Sequence, residues 1–248
     1  MRKSAITAII MVLLVPQVML FACKKTEPTS ARISPEAHEK AMVKKGFEES
    51  KKVIAAKVNG EDITMFALLR EMNDIAPQYA AVGKQKTPEL DTKIKTDALN
   101  TLILQELAVQ EARKRGMKVK PEDIDREITN IKAKAGPGNA FQEYLDTNDL
   151  TEAELRKSVE QDALFEMIAT QEVDAKITIT DAALRERYKK EKAGLKDSSH
   201  KQMTFEAAKG VLEQKVRAEA GEKRMKEWEK ELKKNARIEI IEQKQKQG

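Results

Sequence analysis

The sequence predicts a mainly α protein: a bundle of amphipathic helices with a small two-strand element. Turn-forming residues are scarce, with 10 glycines and 7 prolines in 248 residues, whereas sandwiches and barrels need a turn about every ten positions. Aromatic residues make up only 4% of the chain, which also disfavours a β fold. Leu, Ile and Val recur at helical spacing between charges of both signs, so the pattern favours ordered helices over a disordered chain.

The charge balance and the side-chain inventory exclude several classes of function. The formal net charge is only +5, from 46 basic and 41 acidic residues, so no continuous cationic face for nucleic acid is predicted. One cysteine and two distant histidines, His38 and His200, do not make a metal site. Gly136-Pro137-Gly138 lacks the Lys-Ser/Thr of a phosphate loop and is interpreted as a turn. We expect no metal, no cofactor and no nucleic-acid partner.

Residues 1–22 have the pattern of an export signal. Arg2 and Lys3 form a basic start, and an apolar run follows over residues 5–15. That run is shorter than the roughly 20 apolar residues of a transmembrane helix, so we interpret the segment as a cleaved signal peptide.

The single cysteine, Cys23, stands where the apolar segment ends. Leu20-Phe21-Ala22-Cys23 resembles the bacterial lipobox. The resemblance implies cleavage before Cys23 and attachment of lipid to it, a diacylglycerol thioether and usually an amide-linked acyl group such as palmitate. Two or more chains anchor a protein stably. Lys24, where a retention signal would have Asp, favours the outer membrane if the cell has one.

Helix starts and apolar stripes can be placed along the mature chain. N-caps are predicted at Thr64, Thr151, Thr180 and Thr204, with Glu154 completing a capping box at the second. Apolar residues recur at helical spacing after these starts and in the segments between them. The longest predicted helices cover residues 91–115, 121–135, 151–174 and 205–235.

Two β-like runs lie near the ends of the helical region, at residues 53–58 and 237–241. Asn59-Gly60 closes the first with a tight turn. Because an isolated strand pair is only marginally stable, we expect the two runs to pair with each other against the helices. The pairing would bring residues 55 and 240 together and close the domain through its own ends.

Three segments in a fixed order resemble the N-terminal domain of the SurA, PrsA and PpiD family of periplasmic chaperones. They are Val58–Thr64 (VNGEDIT), Leu99–Gly116 (LNTLILQELAVQEARKRG) and Val119–Ile131 (VKPEDIDREITNI). The resemblance extends over about residues 53–241. It implies a helical chaperone domain over 53–195 that is completed by a closing helix and strand over 204–241.

The chain departs from the family pattern at residues 196–203. Relatives carry a parvulin prolyl isomerase domain at this point, and eight residues cannot form a domain. His200 is therefore interpreted as an exposed linker residue, and the chain is not expected to be an enzyme. The remaining segments are interpreted as lipidated cysteine, tether and short helix (23–52) and as a polar tail (242–248).

The resemblance implies an ATP-independent holdase for unfolded exported or outer-membrane polypeptides, facing the periplasm on a lipid anchor. Its peptide-binding face is expected to include Leu68, Leu69, Met72 and Leu102. The alternative is an interaction or assembly lipoprotein that docks one dedicated partner in an envelope or export complex, and a remote alternative is a prolyl isomerase. The sequence leaves the clients, the membrane occupied and the oligomeric state open.

Overall fold

The structure, a computed structural model, describes residues 45–241 except 197 and 199. The predicted signal peptide, Cys23, the tether and the polar tail lie outside the described residues. The predicted fold class is confirmed, because helices dominate and one small sheet accompanies them. Residues 45–52 are helical (α1). The later helices are α2 (Met65–Ala81), α3 (Pro88–Lys114), α4 (Pro121–Ala135), α5 (Ala140–Thr147), α6 (Glu152–Glu172), α7 (Asp181–Glu191) and α8 (Phe205–Lys233).

The four predicted threonine caps all begin helices. The side-chain oxygens of Thr64, Thr180 and Thr204 accept hydrogen bonds from the backbone N–H three residues later, at 3.2–3.3 Å. Thr151 and Glu154 form the full capping box: Thr151 N–H donates to the Glu154 carboxylate at 2.7 Å, and Glu154 N–H donates to Thr151 Oγ1 at 3.1 Å. Each cap satisfies N–H groups that have no partner inside the helix.

Three antiparallel strands form the sheet, in the order β2–β1–β3. They are β1 (Ile54–Val58), β2 (Glu61–Thr64) and β3 (Ile238–Ile240). The predicted pairing of the two ends is confirmed: Ala56 lies opposite Ile240, and Ile241 N–H donates to the Ala55 carbonyl at 2.9 Å.

The sheet has one strand more than predicted. β2 ends on the α2 cap, Thr64, because the turn at Asn59 (φ 53°) and Gly60 (φ 96°) returns the chain along β1. Two consecutive positive φ angles are typical of the tight hairpin turn that Asn-Gly favours.

The described residues divide into two units. The strand unit comprises residues 45–103, 127–156 and 237–241. Its buried residues come from β1, β2, the start of α2, the first part of α3, and α4 to the start of α6. Lys51 on α1 connects to the α5–α6 connection, with its Nζ 2.8 Å from the carbonyl oxygen and 2.9 Å from the carboxylate of Asp149. The core is formed by Ala55, Ala56, Val58, Ile63, Phe66, Leu68, Ile94, Ala98, Leu99, Ile103, Ile128, Leu145 and Leu155.

The helical unit comprises residues 104–126, 157–196, 198 and 200–236. Trp228 on α8 is 2% exposed and packs in one buried cluster with residues of α3 and α6. A second cluster joins α7 to α8 through Leu184, Leu195, Ala208 and Leu212. The predicted linker lies between these two helices, where Lys196 pairs with Gln202 and His200 is exposed.

Candidate functional site

Helix α2 positions three of the four predicted peptide-binding residues in the strand unit, and the fourth, Leu102, lies on α3. The first turn of α2 is anchored in the protein interior, because its residues Phe66 and Leu68 are buried. The Phe47 ring meets the Phe66 ring edge-on with centroids 5.8 Å apart, and the Lys51 ammonium lies 5.0 Å from the Phe66 centroid. These contacts fix the rotation of the start of α2 about its own axis. That rotation determines which of its side chains face solvent.

The four residues predicted for peptide binding have different environments. Leu68 is 1% exposed and belongs to the core of the strand unit. Leu69 is 37% exposed, and Met72 and Leu102 are half-buried. Leu69, Met72 and Leu102 therefore present side-chain surface to solvent, and Leu68 does not.

A stripe of apolar residues continues from Leu69 along α2. Leu69, Met72, Ile75 and Tyr79 follow one another at steps of three, three and four, so they lie on one side of α2, and Val82, three residues on, is its C-cap residue. All five are at least partly exposed, and Val82 is 70% exposed. We call these five residues the α2 stripe.

The last part of the α2 stripe opens into a cleft between α2 and α3. The cleft has a volume of about 330 Å³, at the low end of the range for small-molecule sites. Leu102 directly follows one of its lining residues on α3. The cleft is lined by Ile75, Gln78, Tyr79, Val82, Lys84, Asp97 and Thr101.

Charged side chains form one wall of the cleft. The Tyr79 hydroxyl donates a hydrogen bond to Oδ2 of Asp97, and Lys93 Nζ donates to the same oxygen at 3.0 Å. The Lys84 ammonium lies 5.1 Å from the Tyr79 ring centroid, within the range of a cation–π contact. The cleft thus combines an apolar stripe with a fixed polar rim.

The protonation states of this rim follow from its hydrogen bonds. The hydrogen bond from Tyr79 lowers the pKa of Asp97 below its ordinary value, and Lys93 adds to the effect. The same bond raises the pKa of Tyr79, because it stabilises the neutral phenol. Asp97 is therefore ionised and Tyr79 neutral at neutral pH, an arrangement that positions side chains and offers no nucleophile paired with a base.

Sequence reasoning missed most of the cleft. The spacing of Ile75, Tyr79 and Val82 after Met72 is a local signal that could have identified the α2 stripe. No local signal indicates Asp97 or Thr101, because they reach the cleft only through the packing of α3 beside α2.

The described part of the chain has neither a metal-binding cluster nor a membrane-spanning helix. No group of three or more His, Cys, Asp or Glu side chains there is placed to hold a metal ion. None of the helices described combines the length and the apolar character that a membrane-spanning helix requires. The predicted lipidation site, Cys23, lies outside the described residues.

Comparisons with known proteins identify the family. The model of the SurA-like N-terminal domain matches residues 1–169. The proteins named Chaperone SurA of Bordetella pertussis and Bordetella bronchiseptica are each 30% identical to this chain over 158 residues. That region covers 61% of this chain, which spans only 29% of the length of each relative.

A solved structure from work on PEB4 and Cj1289, two SurA-like chaperones of Campylobacter jejuni, has a TM-score of 0.49 at 12% identity. The alignment covers 77% of this chain and 100% of that one. The family model matches well over half of the chain and agrees with the resemblance of the three sequence segments. The chain belongs to the family of SurA-like N-terminal domains.

Proposed function

We propose that the chain is a membrane-anchored, ATP-independent chaperone that holds unfolded exported or outer-membrane polypeptides. Membership of the SurA-like family supports a chaperone role, since the curated relatives that it matches carry the name Chaperone SurA. Such a role needs a surface that binds many apolar sequences without committing to one. The chain would supply this surface from its helices.

The observation that carries the proposal is the α2 stripe and its cleft. Leu69 and Val82 are 37% and 70% exposed, and the half-buried Met72 between them has the flexible side chain that adaptable surfaces use. Leu102 would extend the surface onto α3. An unfolded client would bury apolar side chains against this surface, while the charged rim would keep the free chaperone hydrated.

The anchoring part of the proposal rests on the sequence of residues 1–24. Lipid attached to Cys23 would hold the domain at a membrane facing the periplasm, with the outer membrane favoured by Lys24 in a cell that has one. A chaperone tethered there would meet polypeptides as they emerge from export. Binding alone would perform this function, so we propose no prolyl isomerase activity and no nucleotide.

Aggregation assays test the proposal. We expect the purified chain, without ATP, to suppress aggregation of two unrelated unfolded proteins at near-stoichiometric ratios. The double variant Leu69→Ser/Met72→Ser should lose most of that suppression. Val211→Ser is a matched control, because Val211 is a similarly exposed apolar residue (44%) on α8 in the helical unit.

The alternative function gives a different result. A lipoprotein that docks one dedicated partner would capture a single protein from the envelope and would not suppress aggregation of unrelated proteins. That result would overturn the holdase proposal. Equal suppression by the wild type and the double variant would instead show that clients bind elsewhere on the chain.

A further inference from the structure

Strand β3 is an edge strand whose outer backbone groups have no strand partner among the described residues. Asn59 N–H donates to the Arg237 carbonyl at 2.8 Å, and Ile241 N–H donates to the Ala55 carbonyl at 2.9 Å. In an antiparallel ladder, hydrogen-bonded and non-hydrogen-bonded pairs alternate. The N–H and C=O groups of Ile238 and Ile240 therefore point away from β1, toward the open edge.

Apolar side chains accompany this open edge. Ile238 and Ile240 lie opposite Val58 and Ala56, so they share the face of the sheet on which those two residues are completely buried. Ile240 is nevertheless 59% exposed, and Ile241 directly after it is 40% exposed. The face that is buried at Ala56 and Val58 thus continues onto β3, where Ile238 is half-buried and Ile240 is left exposed by the residues that the structure describes.

The other edge of the sheet is more charged and less regular than β3. β2 has two exposed acidic residues, Glu61 and Asp62, and its pairing with β1 is interrupted by an irregularity between Ile54 and Ala56. Charges and bulges at an edge are the usual means of preventing unwanted strand pairing. β3 has one charged residue, Glu239, whose carboxylate is 2.6 Å from the guanidinium of Arg237.

We propose that the β3 edge binds an extended, uncharged polypeptide segment with apolar residues at alternate positions, which adds to the sheet as a fourth strand. The four free backbone groups would be the hydrogen-bond partners, and apolar residues of the segment would cover Ile240. The opposite charges of Arg237 and Glu239 cancel, so this pair gives the edge no net charge that would attract a charged segment. The inference rests on the proposed function only in taking the segment to come from an unfolded client. The β3 edge itself is separate from the α2 stripe.

Substitution of Ile240 tests the pairing selectively. Its N–H points outward, so Ile240→Pro removes a donor from the free edge without removing a ladder bond to β1. Ile240→Val is the matched control, since it keeps the N–H and an apolar side chain. With the full chain and a fluorescein-labelled decapeptide of alternating Val and Thr, we expect Ile240→Pro to weaken binding about fivefold or more. We expect Ile240→Val to bind as the wild type does.

Two further measurements keep the test independent of any folding defect in the proline variant. In the wild type, the peptide should slow hydrogen exchange at the Ile238 and Ile240 amides. A peptide of the same sequence, N-methylated at alternate residues, should bind at least fivefold more weakly, because it lacks the donors that strand pairing needs. Unchanged exchange at both amides, or equal binding of the methylated peptide, would overturn the proposal. Aggregation suppression is measured separately, so failure of the edge proposal is distinguishable from failure of the holdase proposal.

Discussion

The Tyr79 hydroxyl donates a hydrogen bond to the Asp97 carboxylate and so links the end of α2 to α3. Both residues line the cleft, and Lys93 holds Asp97 from its own helix at 3.0 Å. Pro77 lies inside α2 and has no N–H for the helix ladder, which weakens this end of the helix. The side-chain link to α3 therefore helps to fix the part of α2 that forms the cleft.

Removing this link should loosen the cleft without unfolding the protein. We expect Tyr79→Phe to lower the free energy of unfolding by about 1 kcal/mol, the usual net value of one hydrogen bond. Urea denaturation at several pH values would measure it. The difference in unfolding free energy between the wild type and Tyr79→Phe should be largest at neutral pH. It should shrink in acid as Asp97 becomes protonated, because the pKa of Asp97 is lowered in the folded protein. It should also shrink in strong alkali, above the ordinary tyrosine range, because the pKa of Tyr79 is raised. A pH-independent difference would contradict this account.

Glu172 should make the helical unit sensitive to acid. Its side chain is 12% exposed, and Arg115 Nη1 lies 2.6 Å and Arg224 Nη2 3.5 Å from its carboxylate. The hydrogen bond from Lys176, with that from Arg115, lowers the pKa of Glu172.

We expect Glu172→Gln to cost about 1–2 kcal/mol of stability at neutral pH. A lowered carboxylate pKa stabilises the fold above the ordinary value of about 4.3, and the effect is lost as the pH falls below it. The stability gap between the wild type and the variant should therefore narrow in thermal unfolding as the pH falls below about 4.3. Glu222→Gln, at an exposed pair on α8, is the control and should have little effect. A constant gap between the Glu172 variant and the wild type down to pH 3 would show that the charge is not the cause.

Trp228 should be the most costly single truncation in the helical unit. It is 2% exposed, and its ring lies 6.3 Å from that of Phe165 on α6. Trp228→Ala should lower stability by about 3–5 kcal/mol, and Trp228→Phe by clearly less. Circular dichroism during urea unfolding would measure both, since the variants lack the only tryptophan. If Trp228→Ala lowered the free energy of unfolding by less than about 1 kcal/mol, the helices would not be packed tightly around this residue.

The capping box at the start of α6 should contribute a measurable local stabilisation. Thr151→Ala removes the acceptor for Glu154 N–H and should cost about 1 kcal/mol, whereas Thr151→Ser should be nearly neutral. Amide hydrogen exchange should show faster exchange in the first turn of α6 for the alanine variant alone. Equal exchange in the two variants would contradict a role for the hydroxyl.

The parts of the fold that depend on local chemistry were predictable from the sequence. A threonine cap needs only its own side chain and the N–H three residues later, so the helix starts at Thr64, Thr151, Thr180 and Thr204 were placed correctly. The end of α4 was also predictable, because Gly136 adopts a φ of 113° that favours glycine. The pairing of β1 with β3 followed from the rule that a strand needs a partner.

The features that depend on packing were not predictable in the same way. β2 occupies the same residues as the sequence pattern that predicts the start of α2. The charged residues Glu61 and Asp62 also make this segment unlike a typical strand. Leu68 and Leu69 are adjacent apolar residues, and only the tertiary packing of α2 decides that Leu68 is buried and Leu69 exposed. The link from Tyr79 to Asp97 depends on how α2 and α3 pack, which local patterns do not encode.

Site-specific photocrosslinking from the cleft tests the central claim most directly. A photoreactive amino acid would replace Val82, which is 70% exposed at the cleft. In a second preparation it would replace Lys223, whose side chain is 81% exposed on α8. With the full chain and an unfolded client, the account predicts strong crosslinks from position 82, weak ones from position 223, and loss of the former in Leu69→Ser/Met72→Ser. Equal crosslinking from the two positions, or none from position 82, would contradict the claim that the α2 stripe and its cleft hold the client.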